Sequence, residues 1–138
     1  MADPLVTTLK IASSGLHAQS TRLRVVSENV ANAQTTGATA GSDPYQRKTV
    51  TFGSTLDEVT GASIVRVADI GTDDTPFVEE YDPGNPAANA DGYVKRPNVN
   101  MLTEMMDMRE ANRSYEANVQ VVKQAREIIN MTIDLLRS

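Results

Sequence analysis

The chain has 138 residues, with 13 Lys and Arg against 18 Asp and Glu for a net charge of −5, and it contains no cysteine. The acidic balance argues against nucleic-acid binding, which needs a basic surface to neutralise phosphate. The lack of cysteine removes disulfides, thiolate metal sites and cysteine nucleophiles together.

With no Trp, 2 Phe and 4 Tyr, any core rests on Leu, Ile, Val, Met and Ala, the residues of helix packing. Apolar residues never run more than two in succession, against the roughly 20 that a bilayer crossing requires. The opening Met1-Ala2-Asp3-Pro4-Leu5 has neither the basic start nor the apolar run of a cleavable signal peptide. Export, if it occurs, is therefore expected by a route that does not read that signal.

The first predicted element is a helix from Leu5 to Ala31. Asp3 is placed to cap it, and Pro4 suits the first helical position, where its missing N–H costs nothing. Leu5, Leu9, Ala12, Leu16, Gln19, Leu23, Val26 and Val30 follow alternating steps of 4 and 3, the period of a coiled-coil seam. Gln19 is its one polar member, and Gly15 a weak point costing about 1 kcal/mol against Ala. The Asn32 to Gly37 run ends the helix.

Between Asn32 and Asn98 lie seven of the 8 Gly, five of the 6 Pro and five of the 6 aromatics. This turn-rich middle is expected to contain β-structure, with strands at Tyr45–Phe52, Ala62–Ile70 and Phe77–Tyr81. With 5 basic and 10 acidic residues it accounts for the whole net charge.

The last predicted helix runs from Met101 to Leu136. Met101, Met105, Met108, Asn112, Tyr115, Val119, Val122, Arg126, Ile129, Ile133 and Leu136 repeat the alternation of 4 and 3, broken by Asn112 and Arg126. Val121, Ala125, Ile128 and Leu135 form a second apolar edge, more than one partner helix would cover. The two helices would be roughly 40 and 54 Å long.

The expected fold is thus mainly α with a small β-element. Segments 1–31 and 99–138 pack together as an antiparallel coiled coil, and segment 32–98 forms a hairpin with linkers. Pairing the polar seam residues Gln19 and Asn112 gives apolar layers on either side and leaves residues 127–138 overhanging.

The residues offer little chemistry. His17, the only histidine, has no local carboxylate to orient it as a base and reads as a flanking helix residue. Asn89-Ala90-Asp91-Gly92 resembles the middle of a calcium loop, but the outer ligand positions would be Ala87 and Asn98, which do not fit. Gly37 and Gly41 lack the Lys-Ser/Thr of a phosphate loop. The cluster Met101, Met105, Met106 and Met108 reads as core at helical spacing rather than as a promiscuous binding face. A small acidic calcium- or substrate-binding domain with hydrolytic activity, using the acidic middle, stays open as the alternative to an assembly subunit.

Two N-terminal stretches favour the assembly subunit. Ala12-Ser13-Ser14-Gly15-Leu16-His17-Ala18-Gln19-Ser20 and Ser27-Glu28-Asn29-Val30-Ala31-Asn32-Ala33 resemble the N-terminal signature of bacterial flagellar axial proteins. Ser27, Asn29, Ala31 and Asn32 carry that motif. Further on, Asp82-Pro83-Gly84-Asn85-Pro86, the run Asp91 to Asn100, and Glu104-Met105 through Ala111-Asn112-Arg113-Ser114-Tyr115-Glu116-Ala117-Asn118 resemble the proximal rod members of that family. The chain departs from many axial proteins where Gln34-Thr35-Thr36-Gly37 replaces a motif with proline and an adjacent tyrosine; Tyr45 follows only later.

The resemblance implies a structural subunit of the basal-body rod, the drive shaft that crosses the periplasm and transmits torque in motility. It implies helical assembly with copies of itself and with other rod proteins. It also implies passage through the flagellar type III export apparatus without signal cleavage, and no enzymatic activity, cofactor, metal or small-molecule substrate.

Overall fold

The computed structural model describes residues 3–138. Helix α1 (Pro4–Ala31) and helix α2 (Met101–Arg137) flank four strands, β1 (Lys48–Leu56), β2 (Ser63–Thr72), β3 (Val78–Tyr81) and β4 (Tyr93–Arg96). The strands form two separate two-stranded sheets, β1 with β2 and β3 with β4.

Side-chain caps set the helix starts. The Asp3 carboxylate accepts the Leu5 N–H at 2.9 Å, and Asn100 Oδ1 accepts the Leu102 N–H at 3.0 Å, each satisfying an orphan donor of the first turn. At the far end of α1, Asn32 donates its amide to the Glu28 carbonyl at 2.9 Å.

The chain divides into two compact units. One combines residues up to 23 with 51–69 and 109–138; the other combines 24–50 with 70–108. In the first unit, Gly15 lies against the Asn118 side chain, and Arg22 Nη2 sits 3.5 Å from Glu110 Oε2. Positions ascending α1 thus meet positions descending α2. The β1–β2 turn docks on α1: Lys10 Nζ is 2.8 Å from Asp57 Oδ1, and the Val65 N–H donates to Ser14 Oγ at 3.3 Å. Among the described residues, every buried apolar side chain of this unit is an alanine: Ala12, Ala18, Ala62, Ala111 and Ala125.

The second unit has Val25, Val26, Ala87 and Val94 as its buried apolar residues, together with Asn29 and Glu104. β3 and β4 pair antiparallel, with Val78 opposite Arg96 and Tyr81 opposite Tyr93. The two tyrosine rings meet edge to face with centroids 5.4 Å apart. Gly92, at φ +86°, precedes β4, where a Cβ would lie 2.8 Å from the Tyr81 ring. Both the backbone angle and the space require glycine.

Three of the four strands lie where alternation and β-branched residues predict them. β4 was missed, because Tyr93-Val94-Lys95-Arg96 is short and half charged. Its central Val94 is fully buried only through tertiary packing.

The register expected from Gln19 and Asn112 is corrected by the structure. Gly15 against Asn118 and Arg22 against Glu110 put Gln19 level with Arg113 and Ser114. Asn112 is exposed, and Gln19 Oε1 is buried with no hydrogen-bond partner among the described residues. The methionine cluster is corrected too: Met101, Met105 and Met106 are exposed and Met108 is half-buried. The buried stripe of the early part of α2 runs instead through Glu104 and Ala111, about one residue round the helix from the apolar seam. Glutamate scores low as a core residue, yet a paired carboxylate can be buried, and the small side chain of alanine allows close approach.

Candidate assembly interface

In the second unit a polar cluster joins three pieces of chain: the end of α1, the segment entering β1, and the start of α2. Glu104 is 0% exposed and Asn29 1%. The Asn29 amide donates to the Lys48 carbonyl at 2.9 Å and to Glu104 Oε2 at 3.2 Å. Its Oδ1 accepts the Tyr45 hydroxyl at 2.8 Å and the Lys48 N–H at 2.9 Å. All the hydrogen-bonding capacity of this side chain is therefore used, which is what burying an amide requires.

Glu104 Oε1 is bound by Arg47 Nε. The same guanidinium reaches Asp73 at 3.3 Å and Asp107 at 3.7 Å. Asn98 completes the ring: its Oδ1 accepts the Arg47 N–H at 2.8 Å and its amide donates to the Asp73 carbonyl at 2.8 Å.

Burial disfavours the charged Arg47, but the hydrogen bond and charge of Glu104, with Asp73 beside it, hold its pKa above the usual value. Burial pushes the Tyr45 hydroxyl up. Outside the cluster, Lys48 and Glu28 pair at 2.8 Å; the hydrogen bond and charge raise the lysine and lower the glutamate.

The predicted seam residues divide by helix. On α1, Ala12 and Val26 are buried, and Leu5, Leu9, Leu16, Gln19, Leu23 and Val30 are half-buried. On α2, Met108, Val119, Val122 and Ile129 are half-buried, whereas Met101, Met105, Asn112, Tyr115, Ile133 and Leu136 are exposed. Of the second edge, Val121, Ile128 and Leu135 are exposed, but Ala125 is buried. From Asn130 to Ser138 every residue is exposed, with Leu135 at 76% and Leu136 at 83%.

Of the motif residues, Asn29 is buried in the cluster, and Asn32 closes α1 and accepts the Thr35 hydroxyl at 3.1 Å. Ser27 and Ala31 are exposed. Sequence reasoning missed Arg47, Tyr45 and Glu104 as a group. The available signal was Glu104 itself, spaced by sevens from Ala111, Asn118 and Ala125.

His17 is exposed. In the stretch that resembles the middle of a calcium loop, the Asn89 side-chain Oδ1 accepts the N–H groups of Asp91 and Tyr93 at 3.0 Å each. Among the described residues, no group of three or more His, Asp or Glu side chains is arranged to hold a metal, and no helix is long and apolar enough to cross a membrane.

Comparison with known proteins agrees at both ends of the chain. A family model described as flagella basal body rod protein matches residues 9–39, and one described as flagellar basal body rod FlgEFG protein C-terminal matches residues 90–135. A flagellar basal-body rod protein FlgC of Agrobacterium fabrum is 63% identical over 136 residues, covering 99% of this chain and 98% of its own. FlgC proteins of Escherichia coli and Bacillus subtilis are 40% and 38% identical, covering 95% and 93% of this chain and 97% and 95% of theirs.

Proposed function

We propose a mechanism of assembly from one premise: the chain belongs to the family of flagellar basal-body rod proteins called FlgC. It is a structural subunit of that rod and assembles with other rod proteins. The terminal segments 1–31 and 99–138 act as one helical assembly domain, an antiparallel pair whose outward faces are covered by neighbouring copies and by related subunits. The middle segment projects and links neighbours. Torque passes through these interlocked helices along the part of the shaft that crosses the periplasm. The subunit reaches it through the flagellar type III export apparatus without signal cleavage, and it performs no catalysis.

The observation that carries this reading is the apolar surface of α2 that has no cover among the described residues. Met101, Met105, Tyr115, Val121, Ile128, Ile133, Leu135 and Leu136 are all exposed. Apolar surface on that scale marks a place of association, and a heterologous contact that does not close on itself yields a helical polymer. The test is Ile128→Asp with Leu135→Asp, which adds charge to the exposed face without touching a buried residue. Loss of swimming and of rod assembly, with the variant still exported, is the expected outcome. Normal swimming would refute the reading.

A further inference from the structure

We infer that the buried cluster of Asn29, Arg47 and Glu104 is the device that selects the register in which α1 and α2 meet. The inference rests on the proposed antiparallel pairing of the terminal helices and adds to it the residues that choose among its alternatives.

The contacts between the helices repeat by sevens on both sides. Gly15, Arg22 and Asn29 are spaced seven apart on α1; Asn118, Ala111 and Glu104 are spaced seven apart on α2. Gly15 meets Asn118, Arg22 meets Glu110 beside Ala111, and Asn29 meets Glu104. A heptad repeat has the same period as the error it must exclude. Sliding one helix by seven residues puts Gly15 against Ala111, small against small, and brings Arg22 level with Glu104, opposite in charge. The buried apolar residues of that stretch of seam, Ala12, Ala18, Ala111 and Ala125, lose little on such a slip, since an alanine presents the same small surface in either register.

Gln19 does not prevent the slip either. Its buried Oε1 finds no partner even in the observed register, so no hydrogen bond there is lost on sliding.

The cluster does prevent it. Only one alignment brings the Glu104 carboxylate beside the Asn29 amide while Arg47, carried by the segment entering β1, closes on its other oxygen. Asn29 is held in turn by the Lys48 backbone and the Tyr45 hydroxyl, so a slipped α1 cannot take that anchorage with it. A buried charge without partners is the costliest error available to such a pair, and fixing register is the best-attested use of buried polar groups in paired helices. Arg47 and Glu104 are thus positioning residues: they decide which apolar residues the helix pair presents to its neighbours.

The cysteine-free chain allows a direct test by disulfide trapping in the full-length protein. Gly15→Cys with Asn118→Cys reports the observed register, because a Cβ at Gly15 lies within 3.0 Å of the Asn118 side chain. Gly15→Cys with Ala111→Cys reports the slipped one; its partners stand about 10 Å apart along the helix in the observed register, beyond disulfide reach. In the intact background only the first pair should close.

Arg47→Met with Glu104→Met replaces the ion pair by apolar groups. It should retain helix by circular dichroism while the slipped product rises about tenfold, as a minor state does when its penalty is removed. Glu104→Gln, which keeps the shape and drops the charge, should show a smaller rise. The inference is overturned if both variants, folded, close only the first pair. It is equally overturned if the double variant loses helix and Glu104→Gln yields no slipped product, since the cluster would then hold the fold without choosing its register. If the intact protein itself fails to close Gly15→Cys with Asn118→Cys, the antiparallel pairing fails instead.

Discussion

The two units solve the same problem with opposite materials. The first, built from residues up to 23, 51–69 and 109–138, has only alanines as buried apolar residues among those described. Several of its larger apolar residues, among them Ile11, Val121, Ile128 and Leu135, are left exposed, and others, such as Leu16, Leu23 and Val122, are only half-buried. The second, built from 24–50 and 70–108, buries three valines and a fully bonded amide–carboxylate–guanidinium cluster. Free energy of burial scales with apolar area at about 25 cal/mol per Å², so an alanine seam contributes little and leaves the stronger apolar residues for other contacts. Polar clusters bury no such area, but they are specific: each member is satisfied in one arrangement and penalised in the rest. One unit is suited to being completed by neighbours, and the other to holding its own geometry.

The sharpest way to break this contrast is Arg47→Ala. It leaves Glu104 buried without its cation, a loss of about 3 kcal/mol, taken at the lower end of the range because the arginine side chain is 20% exposed. Urea unfolding should show the loss, and amide exchange should speed up in 24–50 and 101–108 while the 54–63 turn keeps its protection. Equal acceleration in both units would mean that they are not energetically distinct.

Asn29→Ala comes next. It removes four hydrogen bonds around a buried position, for a loss of about 2 kcal/mol. A loss below about 0.5 kcal/mol in the same unfolding experiment would show that water replaces the amide.

The first unit should respond in the other direction. Gln19→Leu removes a buried oxygen that has no partner, and the thermal midpoint should rise by an amount equivalent to about 1 kcal/mol of added stability. A fall would place an unseen partner on that carbonyl.

The smallest effect is the acid response of the β1–β2 turn. The Lys10 hydrogen bond, then those of Thr60, hold Asp57 at about 2, below its ordinary 3.8. A carboxyl depressed in the folded state contributes stability above its unfolded value and loses it as pH falls through the folded one. The contribution should therefore be complete above pH 4 and fade towards pH 2. The Thr60 amide resonance should titrate in that window, and Asp57→Asn should abolish the titration.

Much of this was legible in the amino-acid order. Asp3 with Pro4, and the glycine- and proline-rich boundaries, placed both helices to within a residue or so, because caps and breakers act locally. Alternation found three strands. The Ser27 to Ala33 motif pointed to the axial family, which the comparisons then bore out.

Tertiary structure alone decided which faces of the helices meet. Periodicity ranks residues by hydropathy, and by that ranking Met105 and Tyr115 belong inside, while Glu104 belongs in water. Arg47, distant in sequence, makes Glu104 buriable. Gly15, which looked like a flaw, gives Asn118 the space of a missing Cβ. A side chain's burial depends on the partner it finds, and partners 57 or 103 residues away along the chain leave no local trace.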